Sequence, residues 1–165
     1  MTGAAPGRWR LAALFLPLAI ALQLLIWRLW IVPAPPPRSW AEPAFILAPV
    51  LAAALAGGWW RSRLSATPDW AARRPYSRLM GVLLFLYQVF LNPFFMLAIL
   101  LLTGDSPPGI SVMLDLRDLS FLPSFRTLIV LIPSLIFQLL ICLIQTEIGL
   151  FLGVYAMHVY RRGRA

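Results

Sequence analysis

The sequence predicts an all-α membrane protein: a polytopic bundle of four transmembrane helices with both termini in the cytoplasm. Three observations support this fold class. Of the 165 residues, 61% are hydrophobic and 12% are charged, whereas soluble domains are about 45–50% apolar and about 25% charged. Four apolar stretches are each long enough to cross about 30 Å of hydrocarbon. The basic residues between them fall mostly on one side, as in cytoplasmic loops.

The first predicted span covers residues 11–32, where apolar side chains predominate. Arg8 and Arg10 precede it, as basic residues precede the apolar core of a secretory signal peptide. However, the bulky Trp27 and Trp30 stand where a signal peptide carries small residues before its cleavage site. We therefore interpret this segment as an uncleaved span.

The second predicted span covers residues 43–60, with Pro43 in the first turn, where its missing N–H leaves no bond unmade. Small residues recur every four positions along one face, which lets another helix approach closely. These residues are Ala44, Ala48, Ala52 and Ala56. The pattern predicts a helix-packing face.

The third predicted span covers residues 79–103 and carries polar side chains at Gln88 and Asn92. Pro93 has no N–H, so the carbonyl of Val89 lacks its usual partner. We expect a kink at this point. Residues 61–78, before the span, are predicted to form a cytoplasmic loop.

The fourth apolar stretch runs from about residue 127 to residue 160 and would measure about 50 Å as one helix. That length exceeds an ordinary span. Gln145 and Glu147 interrupt the apolar run. We therefore predict a span over about 127–147, followed over about 148–160 by a helix that is extended or bent at the cytoplasmic face. The whole chain, 1–165, is predicted to be one membrane domain.

Small and polar residues form a stripe along the fourth segment: Ser134, Gln138, Cys142, Gln145, Gly149 and Gly153. We expect the stripe to pack against the third span, with Gln88 and Gln138 at matching depth and able to share a hydrogen bond. Glu147 points about 200° away from Gln145 on an ideal helix. The acid is therefore expected to face a different neighbour.

The distribution of arginine determines the predicted orientation. All fourteen basic residues are Arg, and ten of them lie on one side of the predicted bundle: Arg8, Arg10, Arg61, Arg63, Arg73, Arg74, Arg78, Arg161, Arg162 and Arg164. The positive-inside rule places that side in the cytoplasm. The absence of Lys is typical of a GC-rich genome, so a bacterial cytoplasmic (inner) membrane is the predicted location.

Arginines on this side are also candidates for contact with anionic lipids or with a partner protein. They are Arg61, Arg63, Arg73, Arg74, Arg78, Arg161 and Arg162. Nucleic acid is excluded as a partner, because the arginines separate apolar segments instead of forming a basic patch with interleaved aromatic residues.

The chain has few residues that could form a catalytic or metal site on their own. The chain has one Cys and one His, too few for a disulfide or for a metal site within the chain. No nucleophile or phosphate-loop motif occurs. Asp115 and Asp118 fit a charge-balanced outer loop better than an acidic pair. We predict no catalytic residue, no metal and no cofactor, and hence no enzyme.

Glu147 is the sharpest single candidate, because an acid within a membrane is costly and is commonly functional. If the span ends at residue 147, the carboxylate lies at the cytoplasmic boundary and can pair with arginines there: Arg61, Arg63, Arg78 or Arg161. If the span is 138–158, Glu147 lies near mid-membrane and can carry a proton. Both interpretations remain open.

Two functions follow. The first is a non-catalytic subunit, or an assembly or scaffold protein, of a larger membrane complex, with lipids and other integral membrane subunits as partners. Its packing face would combine the four alanines with Gly149 and Gly153. The alternative is a small oligomeric transporter or channel with a polar path along Gln88, Asn92, Gln138, Gln145 and Glu147.

Overall fold

A computed structural model describes residues 7–26, 28, 38–92 and 125–163; the side chains of 38–45 and 125–131 fall outside that description. The described residues form four α-helices and no β-strand, which confirms the all-α class. The helices are α1 (Arg8–Ile26), α2 (Arg38–Ser62), α3 (Trp70–Leu86) and α4 (Phe125–Arg162).

Two of the described helices are long and apolar enough to cross a membrane. They are α1 and the part of α4 from Ile132 to Arg162. The count of four spans and the cytoplasmic position of both termini stay predictions. The predicted outer loop with Asp115 and Asp118 lies outside the described residues.

By internal packing the chain divides into two units. The first comprises Met1–Leu84 with Ile141–Ala165, and the second comprises Phe85–Leu140. In the first unit, α1 packs against α2. The buried residues of α1 recur at helical spacing, as expected of a single packing face: Leu11, Ala12, Phe15 and Ala19. Residues 29–32, at the end of the first predicted span, lie outside the described part.

Helix α2 begins at Arg38, earlier than the predicted start at Pro43. Pro43 therefore lies in the second turn of the helix and not in the first. From its middle onward, α2 buries Ala48, Ala52 and Ala56, each with no exposed surface. The side chain of Ala44 lies outside the description.

Helix α3 begins at Trp70, so the prediction of a loop over residues 61–78 is wrong for its second half. The reason is an N-cap. The Asp69 carboxylate accepts a hydrogen bond of 2.8 Å from the backbone N–H of Ala72, which satisfies one of the unpaired donors of the first turn.

A π-helical turn, Tyr87–Leu91, continues α3. Here the N–H of Asn92 bonds to the carbonyl of Tyr87, five residues back. Such turns widen a helix and are among the causes of kinks. The turn ends beside the predicted kink at Asn92, but Pro93 and the rest of that predicted span, 93–103, lie outside the described residues.

Helix α4 runs without interruption for 38 residues, or about 57 Å at 1.5 Å per residue. Residues 148–160 thus continue the same helix. The prediction that the chain forms one membrane domain stays a prediction.

Candidate functional site

Polar residues in the C-terminal half of α4 contact α3, and the two helices lie very close together at Gly81. A Cβ atom added at Gly81 would lie 2.8 Å from Cδ2 of Leu143 and 3.0 Å from Oγ1 of Thr146. The Thr146 hydroxyl is fully buried. It lies 3.0 Å from the carbonyl of Ser77 on α3 and 3.0 Å from that of Cys142 on its own helix. Its single proton can bond to only one of them at a time.

Glu147 is held by the same part of α3. Its Oε2 atom accepts a hydrogen bond from the hydroxyl of Ser77, a residue that is only 2% exposed. The Ser77 hydroxyl also lies 3.1 Å from the carbonyl of Arg74. Because an ionised carboxylate is the stronger acceptor, Glu147 is the favoured partner of that proton.

The arginines expected to pair with Glu147 do not do so in the described part of the chain. There, the only recorded partner of the Glu147 carboxylate is Ser77. Arg61 and Arg161 instead donate to backbone carbonyls. The carboxylate therefore remains without a compensating positive charge among the described residues.

Gln145 faces α2. Its Nε2 atom donates to the carbonyl of Ile46 at 3.3 Å, in the turn that precedes Pro49. The Oε1 atom of Gln145 is buried and has no partner among the described residues. Gln145 and Glu147 thus contact different helices, as their angular separation predicts.

The small residues of the stripe also pack against α2. A Cβ atom at Gly153 would overlap the carbonyl of Ala54, and one at Gly149 would overlap the carbonyl of Val50. On the other helix, a Cβ atom at Gly57 would lie 2.7 Å from the carbonyl oxygen of Leu150. This is the small-residue packing typical of membrane helices.

The prediction that the whole stripe packs against the third span is therefore wrong for Gln145, Gly149 and Gly153. The residues of the stripe step by three or four positions, and at 100° per residue the stripe turns by about 100° around the helix between Ser134 and Gly153. Gln138 consequently meets Gln88, whereas Gly149 and Gly153 meet α2.

In the second unit, Gln138 donates from Nε2 to Oε1 of Gln88. This is the pair that the matching depths predict. Asn92 is engaged within the π-helical turn, because the hydroxyl of Tyr87 lies 3.3 Å from its Oδ1 atom.

Two of the candidate arginines bind the end of α2. Arg61 is 5% exposed and donates to the carbonyl of Leu64 at 2.8 Å. Arg161 donates to the same carbonyl at 3.0 Å and to that of Ser62. Burial, and then the charge of Arg161, lower the pKa of Arg61. Cations at a helix C-terminus interact favourably with its unpaired carbonyls.

The same end of α4 has one more contact with the α2–α3 loop. Nδ1 of His158 lies 2.8 Å from the hydroxyl of Thr67. Two side chains of α4, His158 and Arg161, therefore connect the C-terminal end of this helix to the loop.

The other candidate arginines stack on aromatic rings or remain exposed. The guanidinium of Arg63 lies 4.5 Å from the ring centre of Trp59, and that of Arg74 lies 4.6 Å from the ring centre of Trp70. Arg73 lies 5.0 Å from the ring centre of Phe151 on α4. Arg78 and Arg162 are exposed. Positive charge is thus presented outward from several points around the α2–α3 loop.

Ser77 and Thr146 were missed as site residues. Ser77 and Gly81 are small residues four positions apart, a spacing typical of a close helix contact. Because Ser77 falls within the predicted loop over 61–78, the two residues are not predicted to lie on one helix. Within the described residues, no three His, Cys, Asp or Glu side chains lie together as a metal site. Comparison of the chain with protein-family models, with curated proteins and with solved structures finds no match.

Proposed function

We propose that this chain is an integral protein of the bacterial cytoplasmic membrane, with four spans and both termini inside, and that it is a non-catalytic subunit or assembly scaffold of a larger membrane complex. One observation carries the proposal. Polar side chains of its helices bond to side chains or backbone carbonyls of neighbouring helical segments. Large apolar side chains of α4, by contrast, remain exposed in both units.

These uncovered side chains recur every three or four residues and are each 46–65% exposed. They are Ile132, Ile136, Phe137, Leu140, Ile144, Ile148, Phe151, Leu152, Tyr155, Val159 and Tyr160. A contiguous apolar surface of this kind marks a contact with lipid or with another protein. In a subunit, part of it packs against the helices of a neighbour.

The contacts of the arginines support the proposed orientation. Arg161, near the C-terminal end of α4, binds carbonyls of Ser62 and Leu64 at the start of the α2–α3 loop. The C-terminus and this loop must therefore lie on the same side of the membrane. Arginine is concentrated in both segments, as the positive-inside rule requires of the cytoplasmic side.

Photo-crosslinking in the native host tests the subunit proposal. A photoreactive amino acid would replace Phe137, which is 65% exposed, or Ile144, which is 57% exposed. We expect an adduct of defined mass with one other membrane protein. The matched control is the same replacement of Leu150, which is 0% exposed and should give no intermolecular adduct. Adducts with lipid alone from both exposed positions would contradict the subunit proposal.

A small proton transporter is the second candidate, and Glu147 favours it. The carboxylate is half-buried and is bound by Ser77 without a basic partner in the described chain. Against a continuous path, Gln145 faces α2 while Glu147 faces α3. In liposomes that contain a pH-sensitive dye, Glu147→Gln should abolish proton flux if this candidate is right. Flux that is absent in the wild type, or unchanged in the variant, removes it.

A further inference from the structure

We propose that the open groove between α2 and α4 binds one acyl chain of an anionic phospholipid, with the lipid phosphate at Arg63. The groove encloses about 820 Å³, within the range of about 300–1,000 Å³ for ligand sites. The proposal rests on the membrane location proposed above, but it is independent of whether the chain is a subunit or a transporter.

Small residues form the floor of the groove. Ala54 and Gly58 contribute from α2, and Gly153 and Ala156 contribute from α4. Leucine side chains of the two helices, including Leu51 and Leu152, also line it. The surface offered to an occupant is therefore almost wholly apolar, which matches the chemistry of an acyl chain.

Close packing of α2 on α4 does not require the glycine at position 58, which lines the groove. At Gly57, Gly149 and Gly153, an added Cβ atom would collide with the backbone of the facing helix. At Gly58 the nearest atom would be the carbonyl oxygen of Gly153, at an ordinary contact distance of 3.6 Å. Packing of α2 on α4 therefore tolerates a larger residue at position 58, and the glycine keeps the groove open.

The charge at one end of the groove complements an anionic headgroup. Trp59 and Tyr160 line the groove, and rings of this type prefer the headgroup level of a membrane. The guanidinium of Arg63 lies 4.5 Å from the ring centre of Trp59, and Arg63 is exposed. In the described part of the chain, no carboxylate is recorded as an ion-pair partner of Arg63.

A phosphate group suits this position. Guanidinium groups bind phosphate oxygens in a bidentate manner, and basic residues near the membrane surface attract anionic lipids. The neighbouring Arg61 and Arg161 are already bound to backbone carbonyls. Arg63 is therefore the arginine beside the groove that remains available to the headgroup.

Native mass spectrometry of the full chain, purified in mild detergent, tests the lipid site. The probes are palmitoyl-oleoyl phosphatidylglycerol and palmitoyl-oleoyl phosphatidylcholine, which share their acyl chains and differ in headgroup charge. We expect one phosphatidylglycerol molecule to be retained, about fivefold more tightly than phosphatidylcholine, the ratio that one basic contact at the surface supplies.

Arg63→Gln should remove that preference. The matched control is Arg74→Gln, which removes an exposed arginine that is also stacked on a tryptophan, Trp70, away from the groove. It should keep the preference. Equal retention of the two lipids by the wild type, or an unchanged preference in Arg63→Gln, would overturn the assignment of the headgroup.

The groove itself is tested by Ala156→Leu, which fills its floor from an exposed position and should lower retention of both lipids. Ala71→Leu, at an exposed position on α3, is the control. Gly58→Ala gives a second, smaller filling and should lower retention less. Full retention in Ala156→Leu, or a protein dimer that this variant dissociates, would assign the groove to something other than lipid. A chain that purifies without detergent would instead refute the proposed membrane location.

Discussion

Helices α2 and α3 both pack against the C-terminal half of α4, but their closest contacts differ: glycines face backbone carbonyls on the α2 side, whereas Gly81 on the α3 side faces mainly the side chains of Leu143 and Thr146. On the α2 side, the glycines of α4 bring the two backbones together, so that Gly153 lies against the carbonyl of Ala54. On the α3 side, a hydroxyl and a carboxylate reach across: Thr146 to the carbonyl of Ser77, and Glu147 to its hydroxyl.

The difference has a physical consequence. In lipid there is little hydrophobic force between helices, so association depends on close van der Waals packing, and one interhelical hydrogen bond adds about 0.6 kcal/mol. We infer that the α2–α4 contact supplies more of the stability. The α3–α4 contact mainly fixes the register of the two helices and places Glu147.

The largest effect is expected for Gly153→Ala. The new Cβ atom would overlap the backbone of Ala54, which cannot rotate away as a side chain can. The two helices must separate, at a cost of about 2–3 kcal/mol in the free energy of unfolding. The measurement is unfolding by SDS in mixed micelles, followed by circular dichroism.

Gly58→Ala is the control for that change, because its Cβ atom would lie 3.6 Å from the carbonyl oxygen of Gly153, the nearest atom of the facing helix. It should leave the free energy of unfolding unchanged or raise it slightly, since alanine favours a helix more than glycine does. If both variants were equally unstable, close packing of α2 on α4 would not be the source of stability.

Gly81→Ala makes the same chemical change at the α3–α4 contact, where we expect a smaller loss of about 1 kcal/mol. The nearest atom to the new Cβ is the side-chain Cδ2 atom of Leu143, at 2.8 Å, and the nearest backbone atom, the Cα of Leu143, lies at 3.0 Å, farther away than the Ala54 carbonyl lies from a Cβ at Gly153. A leucine terminus can change rotamer, whereas a carbonyl cannot. The same SDS titration measures the loss, and a loss larger than that of Gly153→Ala would reverse the proposed ranking of the two contacts.

Thr146→Val should cost less again, about 0.6–1 kcal/mol, because it keeps the shape of the side chain and removes only the shared hydroxyl. The Ser77 carbonyl would lose this bond to α4. Hydrogen exchange at the amides of α3 should rise around Ser77 and stay unchanged in α2. Increased exchange in α2 would mean that the two contacts are not independent.

Part of this arrangement follows from the sequence. The four-residue spacing of alanine predicts the buried face of α2, and counting residues from opposite membrane surfaces predicts the pairing of Gln88 with Gln138. Both inferences depend on helix geometry alone. The opposite directions of Gln145 and Glu147 follow in the same way.

The choice of partner helix does not follow from periodicity. A periodic pattern identifies a face of α4, but the neighbour of Gly149 and Gly153 depends on how three helices are arranged in space. The partner of Glu147 was missed for a local reason. Because Asp69 caps α3, the helix starts early enough to place Ser77 in a regular turn, whereas charge alone had indicated the arginines.

The smallest effect is expected for a side-chain hydrogen bond between helical segments of the second unit. Gln138 donates to Gln88 there, and a double-mutant cycle with Gln88→Leu and Gln138→Leu isolates this bond from the loss of either side chain. We expect a coupling of about 0.6 kcal/mol by SDS unfolding. A coupling of about 2 kcal/mol would show that hydrogen bonds stabilise these helices as strongly as close packing does. The α2 and α3 contacts of α4 would then differ in the atoms they use but not in the free energy they contribute.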